Sequence, residues 1–207
     1  MLYLTKRRNL KNFKRKSICR FPSVKGDVPV VRTEGVLEKD FCYHLEFDPL
    51  VLQYQCQPLA YNYYLNNEKL EYTPDFEVEI NGGAEIYYEI KERNYIKEGF
   101  ETEFKAKQQQ AKILGKELIL VYDDFIRQQP KLTNLKRVYG AKRRGLPSRE
   151  LVKSIKEVFP KQQSIIAEDL MQYTGITIGQ VYQLIYYKEI IADFDKIFGP
   201  EMKLWRG

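Results

Sequence analysis

At 207 residues, with 43% hydrophobic and 30% charged side chains, the chain has the composition of a globular protein of one large or two small domains, not of a disordered one. No apolar run approaches the roughly 18 residues of a membrane span, and the basic start lacks the apolar segment of a signal peptide; Cys19, Cys42 and Cys56 lack C-x-x-C spacing and suggest neither a disulfide framework nor a zinc site. No membrane association is expected, and a reduced cytoplasm fits best.

The net charge of +6 is strongly segregated. Residues 1–32 carry ten Lys/Arg against one acid, Asp27, and residues 33–92 carry thirteen Asp/Glu against Lys39, Lys69 and Lys91. The remainder is again net positive. An acidic centre between basic flanks suits an enzyme that holds a cation and approaches phosphates.

In chain order, residues 1–32 read as an irregular basic arm whose Lys6, Arg7, Arg8, Lys14, Arg15 and Lys16 are placed to track a DNA backbone. A core is expected over 33–126. Its first element is a helix over 34–47, with Leu37, Phe41 and Leu45 forming one buried stripe, closed by Asp48-Pro49. Gln57-Pro58 turns the chain into a strand over 59–65, and Asn66-Asn67 makes a turn. A second strand over 69–80, interrupted at Pro74, joins through Asn81-Gly82-Gly83 to a third over 85–91. A helix over 100–114 and an apolar strand over 117–122 complete a mixed α/β core. Residues 127–147 read as a basic linker with Lys142, Arg143 and Arg144 as further DNA-backbone candidates. Residues 148–207 form a small domain with helices over 148–159, 165–173 and 177–187 and a hairpin wing from 190–194 and 202–205.

The chemistry concentrates on the second and third strands. Side chains alternate across a strand, so Asp75, Glu77 and Glu79 share one face, and Glu85, Tyr87, Glu89 and Lys91 share one face of the next. Asp75, Glu89 and Lys91 then meet near the far end of the hairpin. An Asp followed fourteen positions later by Glu-x-Lys is the arrangement of the PD-(D/E)xK nucleases. Hard carboxylate oxygens suit Mg²⁺, which keeps coordination sites for water and phosphate, and Lys91 can stabilise the charge that develops on the phosphate. Glu38, on the helix expected beside the sheet, adds a third carboxylate, and Pro74 restrains the backbone before Asp75. Glu46 is a weaker ligand candidate, and the single His44 is expected to pack instead of binding metal.

The combination of Glu38-Lys39-Asp40-Phe41, Leu45-Glu46-Phe47-Asp48-Pro49-Leu50-Val51, Gln57-Pro58, Tyr72-Thr73-Pro74-Asp75-Phe76 and Glu89-Ile90-Lys91 closely resembles the TnsA endonuclease family, the nuclease subunits of heteromeric TnsABC-type bacterial transposases. The resemblance runs nearly end to end. It implies a restriction-endonuclease-like PD-(D/E)xK mixed-sheet core with a small winged-helix-like C-terminal domain. By the same resemblance Glu38, Asp75 and Glu89 are metal ligands and Lys91 is the catalytic lysine. Some family members carry Gln where Glu89 stands. The cofactor implied is Mg²⁺, replaceable by Mn²⁺, with two ions in the DNA complex. The reaction implied is hydrolysis of the 5′ strands at transposon ends during cut-and-paste transposition. The partners implied are double-stranded DNA at those ends, a TnsB-like DDE transposase that cuts and joins the 3′ ends, and a TnsC-like AAA+ ATPase. The setting implied is the bacterial cytoplasm, on the nucleoid when acting.

Two other readings stay open: a free-standing restriction or repair nuclease of the same fold, and a non-catalytic winged-helix DNA-binding adaptor. Intact Glu38, Asp75, Glu89 and Lys91 argue against the adaptor. The helix over 177–187 offers only Gln180 and Gln183 for reading bases before its last turn and no Arg, which favours protein docking over base readout by the C-terminal domain.

Overall fold

The computed structural model describes residues 4–7, 18–159 and 163–207. The chain divides after Arg127 into two compact units. No helix among the described residues is long and apolar enough to cross a membrane.

The first unit is a mixed α/β structure. Its main sheet has the order β4 (Val51–Cys56), β7 (Phe76–Ile80), β8 (Glu85–Lys91), β9 (Glu117–Tyr122). The first three strands are antiparallel neighbours, and β9 runs parallel to β8, with Glu89 opposite Leu120 and Lys91 opposite Tyr122. That parallel step needs a crossover, which α2 (Phe100–Ile113) supplies. A second, antiparallel sheet has the order β1 (Leu4–Arg7), β5 (Leu59–Leu65), β6 (Glu68–Tyr72). Strands β2 (Cys19–Pro22) and β3 (Val30–Thr33) pair as a ribbon ahead of α1 (Val36–Phe47), and α3 (Asp123–Ile126) follows β9.

Both faces of the main sheet are covered, for reasons visible in the side chains. On one face Phe41 of α1 meets Phe76 at 5.3 Å and Tyr88 at 5.4 Å between ring centroids, the expected use of the Leu37, Phe41, Leu45 stripe. On the other, Tyr87 stacks on Tyr61 at 5.7 Å inside a cluster with Tyr63, Tyr72, Phe104, Ala111 and Leu118. Two tight turns take the residues the sequence supplies for them. Asn66 and Asn67 adopt φ of 50° and 66°, and Gly82 and Gly83 adopt 99° and 80°.

Several expectations need correction. The stretch 1–32 is not an irregular arm throughout: it contains β1, β2 and most of β3. Phe21 pairs directly with Val31, both about 1% exposed, and Phe21 meets the Tyr43 ring edge-on at 4.9 Å. These few apolar residues decide the local structure against the surrounding charge. Of the basic candidates there, Lys6 and Arg7 fall in β1, while Arg8, Lys14, Arg15 and Lys16 lie outside the described residues. The single strand expected over 69–80 is two strands in different sheets, because Pro74 has no N–H for a ladder and restricts Thr73 before it. Strand β4 was not anticipated, since an irregular register between Val51 and Gln53 breaks its alternation.

The second unit contains α4 (Lys131–Ala141), α5 (Arg149–Val158), β10 (Ser164–Ile166), α6 (Ala167–Thr174), α7 (Ile178–Tyr186), β11 (Ile190–Ala192) and β12 (Lys203–Arg206). The strands form one antiparallel sheet in the order β10, β12, β11, so the expected pairing of the last two strands is present and a third strand joins it. The expected basic linker over 127–147 is mostly helix: Leu132, Leu135, Val138 and Tyr139 give α4 a buried face that packs on α7. The helix expected from 165 starts at Ala167, after β10. Leu170, Val181 and Leu184 are fully buried, and Gly175 ends α6 in the left-handed conformation at φ 70°.

Candidate active site

Asp75 sits just ahead of β7, where the crossing at Pro74 brings the chain from one sheet into the other. Its amide donates to the Tyr88 carbonyl at 3.0 Å, and its own carbonyl accepts from the Gln57 N–H at 2.9 Å. The carboxylate accepts from the Ile90 N–H at Oδ2 (2.8 Å) and from the Gln57 side-chain amide at Oδ1 (3.3 Å). Asp75 is thereby tied to β8 immediately beside Glu89.

Glu89 is 5% exposed and its two oxygens have different partners. Oε1 meets the Lys91 ammonium at 2.5 Å, and Oε2 accepts from the Tyr72 hydroxyl at 2.6 Å. The i,i+2 spacing on one strand face makes the Glu89–Lys91 pairing automatic. Glu38 occupies the third position of α1, and its Oε2 accepts from the Glu34 N–H at 2.8 Å, one residue ahead of the N-cap Gly35.

Electrostatics bind these groups into one site. Burial, then the Glu89 and Glu38 carboxylates, push the Asp75 carboxyl well above the usual carboxylate range, against the opposing Ile90 N–H and Lys91. Burial alone would lower the Lys91 ammonium, but Glu89, then Asp75 and Glu38, outweigh it and raise its pKa. Glu38, Asp75, Glu89 and Lys91 therefore lie within electrostatic reach of one another; strand alternation accounts only for Glu89 and Lys91, because Asp75 precedes β7 instead of lying in a strand and Glu38 is on α1. Among the described residues no group of three or more His, Cys, Asp or Glu side chains is placed to hold a metal ion.

Behind Glu89 lies a polar layer that the sequence reading passed over. Tyr72 is raised well above the ordinary tyrosine range by burial and by Glu89 and Asp75, so it remains a neutral donor. The Lys107 ammonium lies 4.4 Å from the Tyr72 ring centroid and 2.7 Å from Glu103, which also accepts from the Tyr63 hydroxyl at 2.7 Å. Glu103 is held below the usual range chiefly by Lys107 and Tyr63, with Lys91 contributing. A signal was available: Lys107 falls on the same buried face of α2 as Phe104 and Ala111, where an apolar residue is expected.

Other candidates have structural uses. The Glu46 carboxylate accepts from Ser23, the Val24 N–H (3.1 Å) and the Tyr54 hydroxyl (3.0 Å), anchoring residues 23–25 to α1. The His44 ring packs between Phe41 and Phe125, with Nε2 at 2.9 Å from the Ile126 carbonyl. Glu77 and Glu85 pair with Lys116. In the second unit Lys142, Arg143 and Arg144 form a single 3₁₀ turn, with the Arg144 guanidinium resting against Gly179 of α7.

The family models that were compared include none that matches this chain, and no curated protein matches it.

Proposed function

We propose that this chain is a Mg²⁺-dependent DNA endonuclease with a restriction-endonuclease-like core, acting as the TnsA-like subunit that hydrolyses the 5′ strands at transposon ends. What supports this reading is that Asp75 Oδ2 is held by the Ile90 N–H at 2.8 Å, next to Glu89, whose Oε1 meets Lys91 Nζ at 2.5 Å, with Glu38 near enough to act on the charge of Asp75 and Lys91. The donors fit the cofactor: all three are hard oxygen ligands suited to Mg²⁺ or Mn²⁺, and the Asp75 carboxyl stands in a field of like charge that a cation would offset. When bound, the cation supplies acidification of water and neutralisation of charge at the scissile phosphate.

The chain's own residues have distinct tasks in this reading. Asp75 and Glu89 are the rigid donors, each fixed by main-chain or buried side-chain partners. Glu38 joins them from the first turn of α1. The Lys91 ammonium, held by Glu89 and partly exposed, is placed to bind a phosphate oxygen and stabilise the charge that builds there. Lys142, Arg143 and Arg144 remain proposed contacts to the DNA backbone, as do the basic residues of the N-terminal stretch.

We read the second unit, with its order α5, β10, α6, α7, β11, β12, as winged-helix-like and assign it to docking on a TnsB-like or TnsC-like partner. Gln183, one of two base-reading candidates on α7, is 6% exposed and donates its amide to the Gly145 carbonyl at 2.9 Å. That commitment supports docking over base readout.

The test is anomalous diffraction from Mn²⁺-soaked crystals of wild type and Asp75→Ala. Metal peaks bounded by Glu38, Asp75 and Glu89 that vanish in the variant are expected. Absence of metal from wild type would count against a site formed without DNA, and cleavage of end-containing duplex with a TnsB-like partner would then be the deciding assay. Lys91→Ala is expected to keep the metal and lose cleavage.

A further inference from the structure

Gln57 carries three features that a simple turn residue does not need. Its backbone adopts φ 50°, in the left-handed region that non-glycine residues seldom enter. The following Pro58 would bias it towards extended conformations instead. It is also only 2% exposed, so a polar amide has been taken fully out of water. Backbone outliers of this kind persist where surrounding contacts impose them, and they cluster at functional sites.

The contacts explain the conformation. The Gln57 N–H donates to the Asp75 carbonyl at 2.9 Å, and its side-chain Nε2 donates to Asp75 Oδ1 at 3.3 Å. On the opposite side, Ile90 N–H holds Oδ2 at 2.8 Å and Tyr88 accepts from the Asp75 N–H at 3.0 Å. Asp75 is thus clamped between the end of β4 and β8, with one donor on each carboxylate oxygen. A carboxylate has about four lone-pair positions. Two donors orient the group and leave the others open. The Gln57 donor is uncharged, so it orients the carboxylate without neutralising it as a second lysine would.

We propose that Gln57 is a positioning residue for Asp75, presenting its amide from a left-handed turn so that the carboxylate is aimed at the cation site. This deepens the nuclease reading and rests on it. Glycine enters φ 50° freely, so Gln57→Gly relaxes the backbone while deleting the amide. Gln57→Met keeps the volume and deletes the donor. Outer-shell partners of metal ligands typically contribute about 10–100-fold in metal affinity.

The experiment is calorimetric titration of the full chain with Mn²⁺ for wild type, Asp75→Ala, Gln57→Gly and Gln57→Met, with melting temperatures recorded in EDTA. Weakening of Mn²⁺ binding by about 10-fold or more in both Gln57 variants is expected, with both variants still folded at the titration temperature. Binding by a folded Gln57→Gly within about twofold of wild type, far short of that range, while Asp75→Ala loses it, overturns the role of Gln57 and leaves the nuclease reading intact. Unchanged binding in Asp75→Ala overturns both.

Discussion

Tyr72→Phe removes one oxygen atom and tests the layer that holds Glu89. The ring itself should stay: it packs edge-on against Tyr61 at 5.2 Å and under the Lys107 ammonium at 4.4 Å, and neither contact involves the hydroxyl. What disappears is the 2.6 Å hydrogen bond to Glu89 Oε2. Glu89 is 5% exposed, so water cannot readily replace the donor, and Lys91 is already engaged by the other oxygen. A buried hydrogen bond to a charged group contributes about 1.5–3 kcal/mol, and stranding one partner costs in that range or above. With about 2–4 °C of melting temperature per kcal/mol for a chain of this size, the metal-free variant should melt roughly 3–12 °C lower. Thermal unfolding by circular dichroism in EDTA at neutral pH measures this directly. A melting temperature within about 1 °C of wild type, well below the shift these magnitudes imply, would refute the reasoning, because Oε2 would then have another partner. The same variant should weaken Mn²⁺ binding by about 10-fold through loss of ligand orientation.

Asp75 gives a pH dependence of definite sign. Its folded carboxyl is raised, by burial and by Glu89 and Glu38, above the unfolded value of about 3.9. Below the unfolded value both states are protonated and the residue is neutral towards stability. As pH rises the unfolded chain loses its proton first, so metal-free stability should fall until the folded value is passed. Asp75→Asn should flatten that decline and be more stable than wild type at pH 7, as read from urea midpoints in EDTA; an unchanged slope would contradict the assignment. Lys116→Met removes the cation shared by Glu77 and Glu85, whose loss from a largely buried position should cost about 2–3 kcal/mol in the same urea assay. Retention of wild-type stability there would mean that the two carboxylates relax into water.

Where local pattern and burial agreed, the sequence was sufficient. The Leu37, Phe41, Leu45 stripe, the Asn66-Asn67 and Gly82-Gly83 turns, and the alternation that puts Glu89 and Lys91 on one strand face are all short-range consequences of helical or strand geometry, and all are present. The approach of Glu38 and Asp75 to that pair is not short-range: Glu38 comes from α1 and Asp75 from the crossing ahead of β7. Charge misled it in two places. Ten basic residues in 1–32 hid the apolar Phe21 and Val31 that pair in the β2–β3 ribbon. Lys131, Lys136 and Arg137 hid the buried face of α4. In both, burial of a few apolar side chains outweighs solvated charge, which costs little at a surface.

Tertiary structure alone decided the rest. Pro74 signals an interruption, but nothing local says that the strands on either side enter different sheets; that depends on which partners satisfy their backbone groups, β5 for one and β4 and β8 for the other. Gln57 and Asp75 are eighteen positions apart and Tyr72 and Glu89 seventeen, so no periodicity links them. Their pairing exists because the fold closes around a buried carboxylate, where each oxygen must find a donor inside the protein once water is excluded.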